Sequence, residues 1–174
     1  LPKQDIHVRI SRQQDAGTTS ASIRFFENSI TGTSVHASML SLNLVSPVDH
    51  RFNMNLAREA SETIRAQNKQ AAIESLRLFD ALIDNFQILA EDGKNPRLYL
   101  EHARLGLVPH TVFGDGLRRA LTFALAIPEA ASGLLLIDEI ETAIHPNALT
   151  RLFGWLVQVC QHNDIQLFCT THSL

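Results

Sequence analysis

The sequence has little with which to cross-link itself. Its 174 residues include two cysteines, Cys160 and Cys169, both in apolar segments and without metal-type spacing. A disulfide framework or a cysteine-held metal is therefore excluded as the basis of the fold, and core thiols in a reducing compartment are expected. Long apolar runs are missing too. Each stops well short of the roughly 20 residues that a membrane-spanning helix needs, so no membrane segment is expected. The opening LPKQDIHVRI lacks the charged-then-apolar pattern of a signal peptide, and a cytoplasmic location is expected. Charge of one sign is also scarce. A net charge of −3 excludes a dominant basic surface and leaves room only for a local nucleic-acid patch. No internal repeat or low-complexity tract is visible. What remains is an ordinary globular composition of a length that suits one domain with a proper core. The chain opens without Met and stops at FCTTHSL, on what reads as a strand entering a polar tip, so a piece of a larger protein is expected.

Three stretches differ in character. Residues 1–55 read as β-rich. DIHVRIS places Ile6, Val8 and Ile10 on one face, SVHASMLSLNL alternates less cleanly, and Asp15–Gly17 carries a turn signature. Two to four antiparallel strands are expected. Residues 56–107 read as a helical arm plus a β-hairpin. Ala72, Leu76, Phe79, Ile83 and Phe86 recur at four- and three-residue spacing, which predicts a long amphipathic helix broken at most once. NFQILAEDGKNPRLYLEH then predicts strand, turn at Asp92–Pro96, and returning strand with Leu98 and Leu100 on one side.

Residues 108–174 read as α/β. GLRRALTFALAI predicts a helix that Pro128 ends or restarts, and GLLLI a short strand buried on both faces. PNALTRLFGWLVQVCQHN predicts a second helix with Pro146 in its first turn and Leu149, Leu152, Phe153, Leu156, Val159 and Cys160 on one face. IQLFCTT predicts another buried strand. Strand, helix, strand is a right-handed βαβ unit with parallel strands.

In open α/β sheets, ligands bind beyond the carboxyl ends of the strands. Polar residues stand there twice: Asp138–Glu139 after the first strand, Thr170–Thr171–His172 after the second. If the strands are neighbours, both groups face one crevice. An apolar strand ending in Asp–Glu matches the Walker B pattern of ATPases. One carboxylate suffices to position a hydrated Mg²⁺ beside phosphates, and the second can orient and deprotonate water. Taken alone the pattern fits a solvated strand end equally well. Upstream, Gly114 and Gly116 flank Asp115 just before a helix. Such a turn suits an approaching phosphate, and by itself it also suits a plain helix cap.

The order GDG, helix, LLLIDE, helix, TTHS is more specific than any of its parts. Here the sequence resembles the ABC-class ATPases of the OLD (overcoming lysogenisation defect) proteins and related AAA-type ATPases, kin to RecF and SMC. FGDGLRRAL resembles their signature motif, LLLIDEIE their Walker B, TAIHPNA the D-loop region, and IQLFCTTHS the strand to the switch histidine. The resemblance covers about residues 70–174.

It implies a P-loop-NTPase-like parallel sheet holding signature, Walker B and switch elements, with an N-terminal antiparallel β and helical arm. It implies that Asp138 holds Mg²⁺ through its water shell, Glu139 activates water, and His172 contacts the γ-phosphate. Gly114, Asp115 and Gly116 would contact ATP held by the opposite subunit, in a head-to-tail homodimer. A DNA-processing or anti-phage role, through a Toprim nuclease effector, follows by analogy only.

Three departures stand out. Gly114 replaces the signature serine, and His145 stands where a D-loop aspartate is found. None of the eight glycines begins a G-x-x-x-x-G-K-[ST] segment, so the 174 residues contain no Walker A loop. Without its lysine and backbone cradle, this stretch alone should bind ATP poorly. Two rival readings are a metal-dependent phosphoesterase or nuclease using Asp138, Glu139, Glu141, His145 and His172, and a non-catalytic regulatory half. Glu141 reads as solvated or salt-bridged, Arg118 and Arg119 as a solvated helix face, His50 as incidental and Trp155 as packing.

Overall fold

The computed structural model describes residues 41–172 apart from 91, 92 and 94, with the backbone of three strands in the first forty residues. The chain divides into two compact units, Leu1–Leu40 and Ser41–Leu174. In the first, β1 (Ile6–Gln14), β2 (Gly17–Phe26) and β3 (Ser29–Thr33) form an antiparallel meander. Ile6, Val8 and Ile10 stand opposite Phe25, Ile23 and Ala21 in register, so the alternation in β1 has a matching partner. Gln14 pairs with Gly17 across the expected turn. Residues 15 and 16, and 34–40 of the second alternating run, lie outside the described residues.

The second unit runs β4 (Leu42–Val45), α1 (Asp49–Phe52), α2 (Leu56–Arg65), α3 (Lys69–Arg77), β5 (Ile83–Leu89), β6 (Arg97–His102) and β7 (Gly106–Pro109). A 3-10 turn at His110–Val112 leads into α4 (Asp115–Ala130), β8 (Leu134–Ile137), α5 (Pro146–His162) and β9 (Gln166–Cys169). Strands β4, β8 and β9 form a parallel sheet in that order, with Val45, Ile137 and Cys169 level across it. Strands β5, β6 and β7 form a separate antiparallel sheet. Helix α4 lies at the centre and packs on α1, α2, α3, α5, β4 and β8. Its Leu121, Phe123 and Leu125 are fully buried with Leu76, Phe86, Leu100, Leu135, Leu152 and Leu156.

The helical run is broken once, as the expectation allowed: α2 and α3 are separated at Gln67, whose φ of +60° is incompatible with a helix. Other expectations are corrected. Ile83 and Phe86, assigned to the face of that helix, belong to β5. A register irregularity between Ile83 and Asn85 inserts a bulge, so two residues three apart both reach the core. Strand pleating alone would put them on opposite faces, and the bulge imitates a helical interval. Pro128 lies inside α4, which continues to Ala130. It removes one late N–H bond without ending the helix.

Strand β9 is parallel to β8 as expected but is not a buried strand. It is the sheet's edge among the described residues, and Gln166, Phe168 and Cys169 are exposed. Leu44, Leu136 and Phe168 form one register row on the less covered face, with Leu44 and Phe168 exposed. Cys160 is buried as predicted, and burial raises its thiol pKa to about 11. Phe153, expected on the buried face of α5, is exposed.

Close backbone approach explains Gly133. A Cβ there would collide with the carbonyl oxygen of Ser41, where β8 starts beside β4.

Candidate functional site

The continuous apolar run Leu134–Ile137 makes β8 the central strand, and its carboxyl end delivers Asp138 and Glu139 into a bend. The two acids lie past the strand rather than on it. Glu139 has a φ of +48°, a left-handed conformation rare outside glycine and asparagine. Backbone bonds fix the flanks: Asp138 N–H donates to Val45 O at 3.0 Å, and Ile140 N–H to Thr170 O at 3.1 Å.

The neighbouring strand completes the arrangement. Thr170, one residue past β9, accepts from Glu139 N–H at 2.8 Å, and its hydroxyl donates to Asp138 Oδ1 at 2.5 Å. Thr142 donates to Glu139 Oε2 at 2.9 Å, and His172 Nε2 lies 3.3 Å from Glu139 Oε1. Glu141 Oε1 accepts the backbone N–H of His172 at 2.6 Å. The groups after β8 and β9 thus meet in one crevice, because parallel neighbours deliver their ends to the same side. The His172 side chain is 82% exposed.

The glycine-flanked turn lies at the start of α4. Gly114 is the N-cap residue and supplies no side-chain cap, so the first-turn amides of a long helix are left open. The Asp115 carboxylate turns away towards cations. Oδ2 accepts from Arg51 Nε at 3.0 Å and from its terminal nitrogen at 2.5 Å, and Oδ1 from Arg118 at 3.1 Å. Those bonds, led by Arg51, hold its pKa below the usual carboxylate value. Beside them His50 is buried, and desolvation lowers its pKa. Gly116 packs against the loop after β8: a Cβ there would lie 3.0 Å from Ala143 O.

Asp138, Glu139 and His172 therefore come together, while Gly114, Asp115 and Gly116 form a separate turn on α4. Thr170 belongs to the polar group expected after β9, whereas Thr142 is a hydroxyl among many and carries no signal in the sequence. Glu141 is not merely solvated, since it fixes the His172 backbone. Arg119, expected on a solvated face, has 0% exposure. His145 caps α5, accepting Asn147 N–H at 3.3 Å. Among the described residues no three His, Cys, Asp or Glu side chains converge to hold a metal, so the five-residue metal site of the phosphoesterase reading is not formed.

The parallel sheet, with two acids beyond its central strand and polar residues beyond the edge strand beside it, belongs to an ATPase-type domain of the ABC/AAA superfamily. Residues 19–174 match the family described as "AAA domain, putative AbiEii toxin, Type IV TA system", and the chain belongs to it. The fold is that of SMC heads. The chain superposes with a TM-score of 0.60 and 11% identity on an SMC head crystallised with the C-winged helix domain of ScpA, covering 95% of this chain and 65% of that one. A second SMC head, from Thermotoga maritima, aligns at TM-score 0.49 and 10% identity, over 96% and 65% of the two chains. In sequence, 61 residues are 39% identical to "Uncharacterized protein MJECL11" of Methanocaldococcus jannaschii, 35% of this chain and 54% of the relative. The chain thus spans about half the length of that relative. Among the described residues, no helix is long and apolar enough to cross a membrane.

Proposed function

We propose that these residues are the signature, Walker B and switch part of an OLD-like ABC-class ATPase that hydrolyses Mg-ATP at a head-to-tail homodimer interface. The observation carrying this reading is the acid pair at the end of β8, with Thr170 joining Asp138 to Glu139 and His172 lying 3.3 Å from Glu139. The donor set fits a hydrated Mg²⁺. Asp138 is exposed, a neutral hydroxyl orients it, and no cationic side chain among the described residues pairs with it. The exposed carboxylate is open to a cation from solvent, and a single carboxylate suits one that keeps its waters.

Bound Mg-ATP supplies the phosphoanhydride bond to be broken. Asp138 would hold the hydrated cation, which would offset charge on the phosphates. Glu139, steered by Thr142, takes the proton of the attacking water. His172, beside that acid and with its backbone held by Glu141, would turn to the terminal phosphate. The open amides of the Gly114–Gly116 turn would meet the nucleotide held by the second subunit, and a Walker A segment outside these 174 residues would cradle its phosphates. Nucleotide-driven closing and opening would then work an effector, a Toprim nuclease by analogy, in DNA processing or phage defence.

The test uses the full-length protein. Wild type should release phosphate from Mg-ATP, and Glu139→Gln should stop release while retaining ATP-dependent dimers by light scattering. Hydrolysis by Glu139→Gln at the wild-type rate would sink the assignment.

A further inference from the structure

Arg119 is a costly residue to place where it is. Its side chain is fully buried in the second turn of α4, and among the described residues it forms no ion pair. A guanidinium taken from water needs strong compensation. Three backbone carbonyls provide it: Ser46 O, Asp138 O at 2.8 Å and Glu139 O at 3.4 Å. The guanidinium carbon also lies 4.7 Å from the centre of the Phe123 ring. Burial lowers the proton affinity of Arg119, and the charges of Asp49, Asp138 and Glu139 oppose that shift.

The three carbonyls come from two strand ends. Ser46 follows β4, and Asp138 and Glu139 follow β8. One planar fork therefore ties the two strand ends together beneath the acids, which a single ammonium could not do. The peptide joining Asp138 to Glu139 is pinned on both edges. Arg119 holds its oxygen, and Thr170 holds its N–H at 2.8 Å. Glu139 is also the residue with the positive φ, a conformation that persists only when its surroundings over-determine it. The helix carrying this arginine begins at the Gly114–Gly116 turn, and Gly116 abuts Ala143 in the same loop.

We infer that Arg119 is a positioning residue, fixing the backbone from which Asp138 and Glu139 project and making the glycine turn of α4 and the acid pair one rigid unit. This inference rests on the ATPase reading. Arg119 touches no reacting atom. Its loss should therefore lower kcat while leaving nucleotide affinity nearly unchanged, and it should act jointly with Thr170.

The experiment is a double-mutant cycle in the full-length protein with Arg119→Lys and Thr170→Val, reading kcat, the Kd for Mg-ATP and Tm. Arg119→Lys keeps the charge but spans fewer carbonyls. It should lower kcat about 10- to 100-fold, the scale of a small misplacement of a catalytic group, with Kd within about twofold. The double variant should lose much less than the product of the two single losses, because both act on one peptide plane. Wild-type kcat in Arg119→Lys, parallel losses in kcat and Kd, or multiplicative effects would overturn the inference. Phe123→Leu gives a second handle should Arg119→Lys fail to fold. Removing the ring face should lower kcat about threefold at constant Kd, and unchanged kcat would again overturn it. The two readings fail separately. If Glu139→Gln stops hydrolysis but these variants behave as wild type, only the Arg119 role is lost.

Discussion

Asp115 and Asp138 are the same side chain, one opening a helix and one just past a strand of the same α/β unit, and their surroundings treat them oppositely. Asp115 is wrapped by Arg51 and Arg118, with His50 at 3.7 Å. The Asp138 carboxylate accepts from a threonine hydroxyl and forms no ion pair among the described residues, and Arg119 reaches only its backbone oxygen. A carboxylate paired with guanidiniums has its charge spent locally and serves to tie elements together. One oriented by a neutral donor keeps its charge for a cation that arrives from outside. Neither side chain therefore declares its role by identity, and the company each keeps separates a strut from a ligand.

Substitution at Asp138 should have the largest effect. Asp138→Asn removes the exposed charge while preserving shape, and Mg-dependent phosphate release by the full-length protein should fall about 10²- to 10³-fold. A rate within a few-fold of wild type would put Asp138 in the same class as Asp115. Thr170→Val comes next. It takes away the donor to Asp138 and the acceptor for Glu139 N–H, and a loss of about tenfold in turnover is expected, from one misaligned catalytic carboxylate. An unchanged rate would mean the acids hold their places without it. Thr142→Val, which frees only one oxygen of Glu139 and leaves its backbone held, should cost less, about threefold, the low end of what one hydrogen bond contributes.

Much of this arrangement is written in local pattern. The run Leu134–Ile137 followed by two acids fixes both the central strand and the place of its charges, because an apolar tetrad bounded by turn residues has few other fates. Parallel pairing of β8 and β9 follows from the intervening helix, and it brings His172 to Glu139. What escaped reading depends on contacts between distant segments. The buried state of Arg119 requires Ser46, 73 residues away, to offer its carbonyl. The bulge in β5 counterfeits helical spacing at Ile83 and Phe86. Strand β9 has the apolar composition of a buried strand, yet exposure is decided by what lies beside it in space and not by its own residues.

The smallest expected effect comes from Asp115→Asn, and pH gives it a definite sign. Arg51 and Arg118 favour the ionised form, so the pKa of Asp115 in the folded protein lies below its ordinary 3.8. A group with a depressed folded pKa stabilises the native state above its unfolded pKa, and that contribution disappears as pH falls through the lower folded value. Wild type should therefore exceed Asp115→Asn in Tm at neutral pH, and the two should converge in the acid range below about pH 4. Because the carboxylate is solvent-accessible, raising the ionic strength towards 1 M should shrink the neutral-pH difference as screening weakens the pairs with Arg51 and Arg118. A Tm difference that persists at high salt and low pH would show that Asp115 acts through something other than its charge, and the contrast with Asp138 would then have to be redrawn.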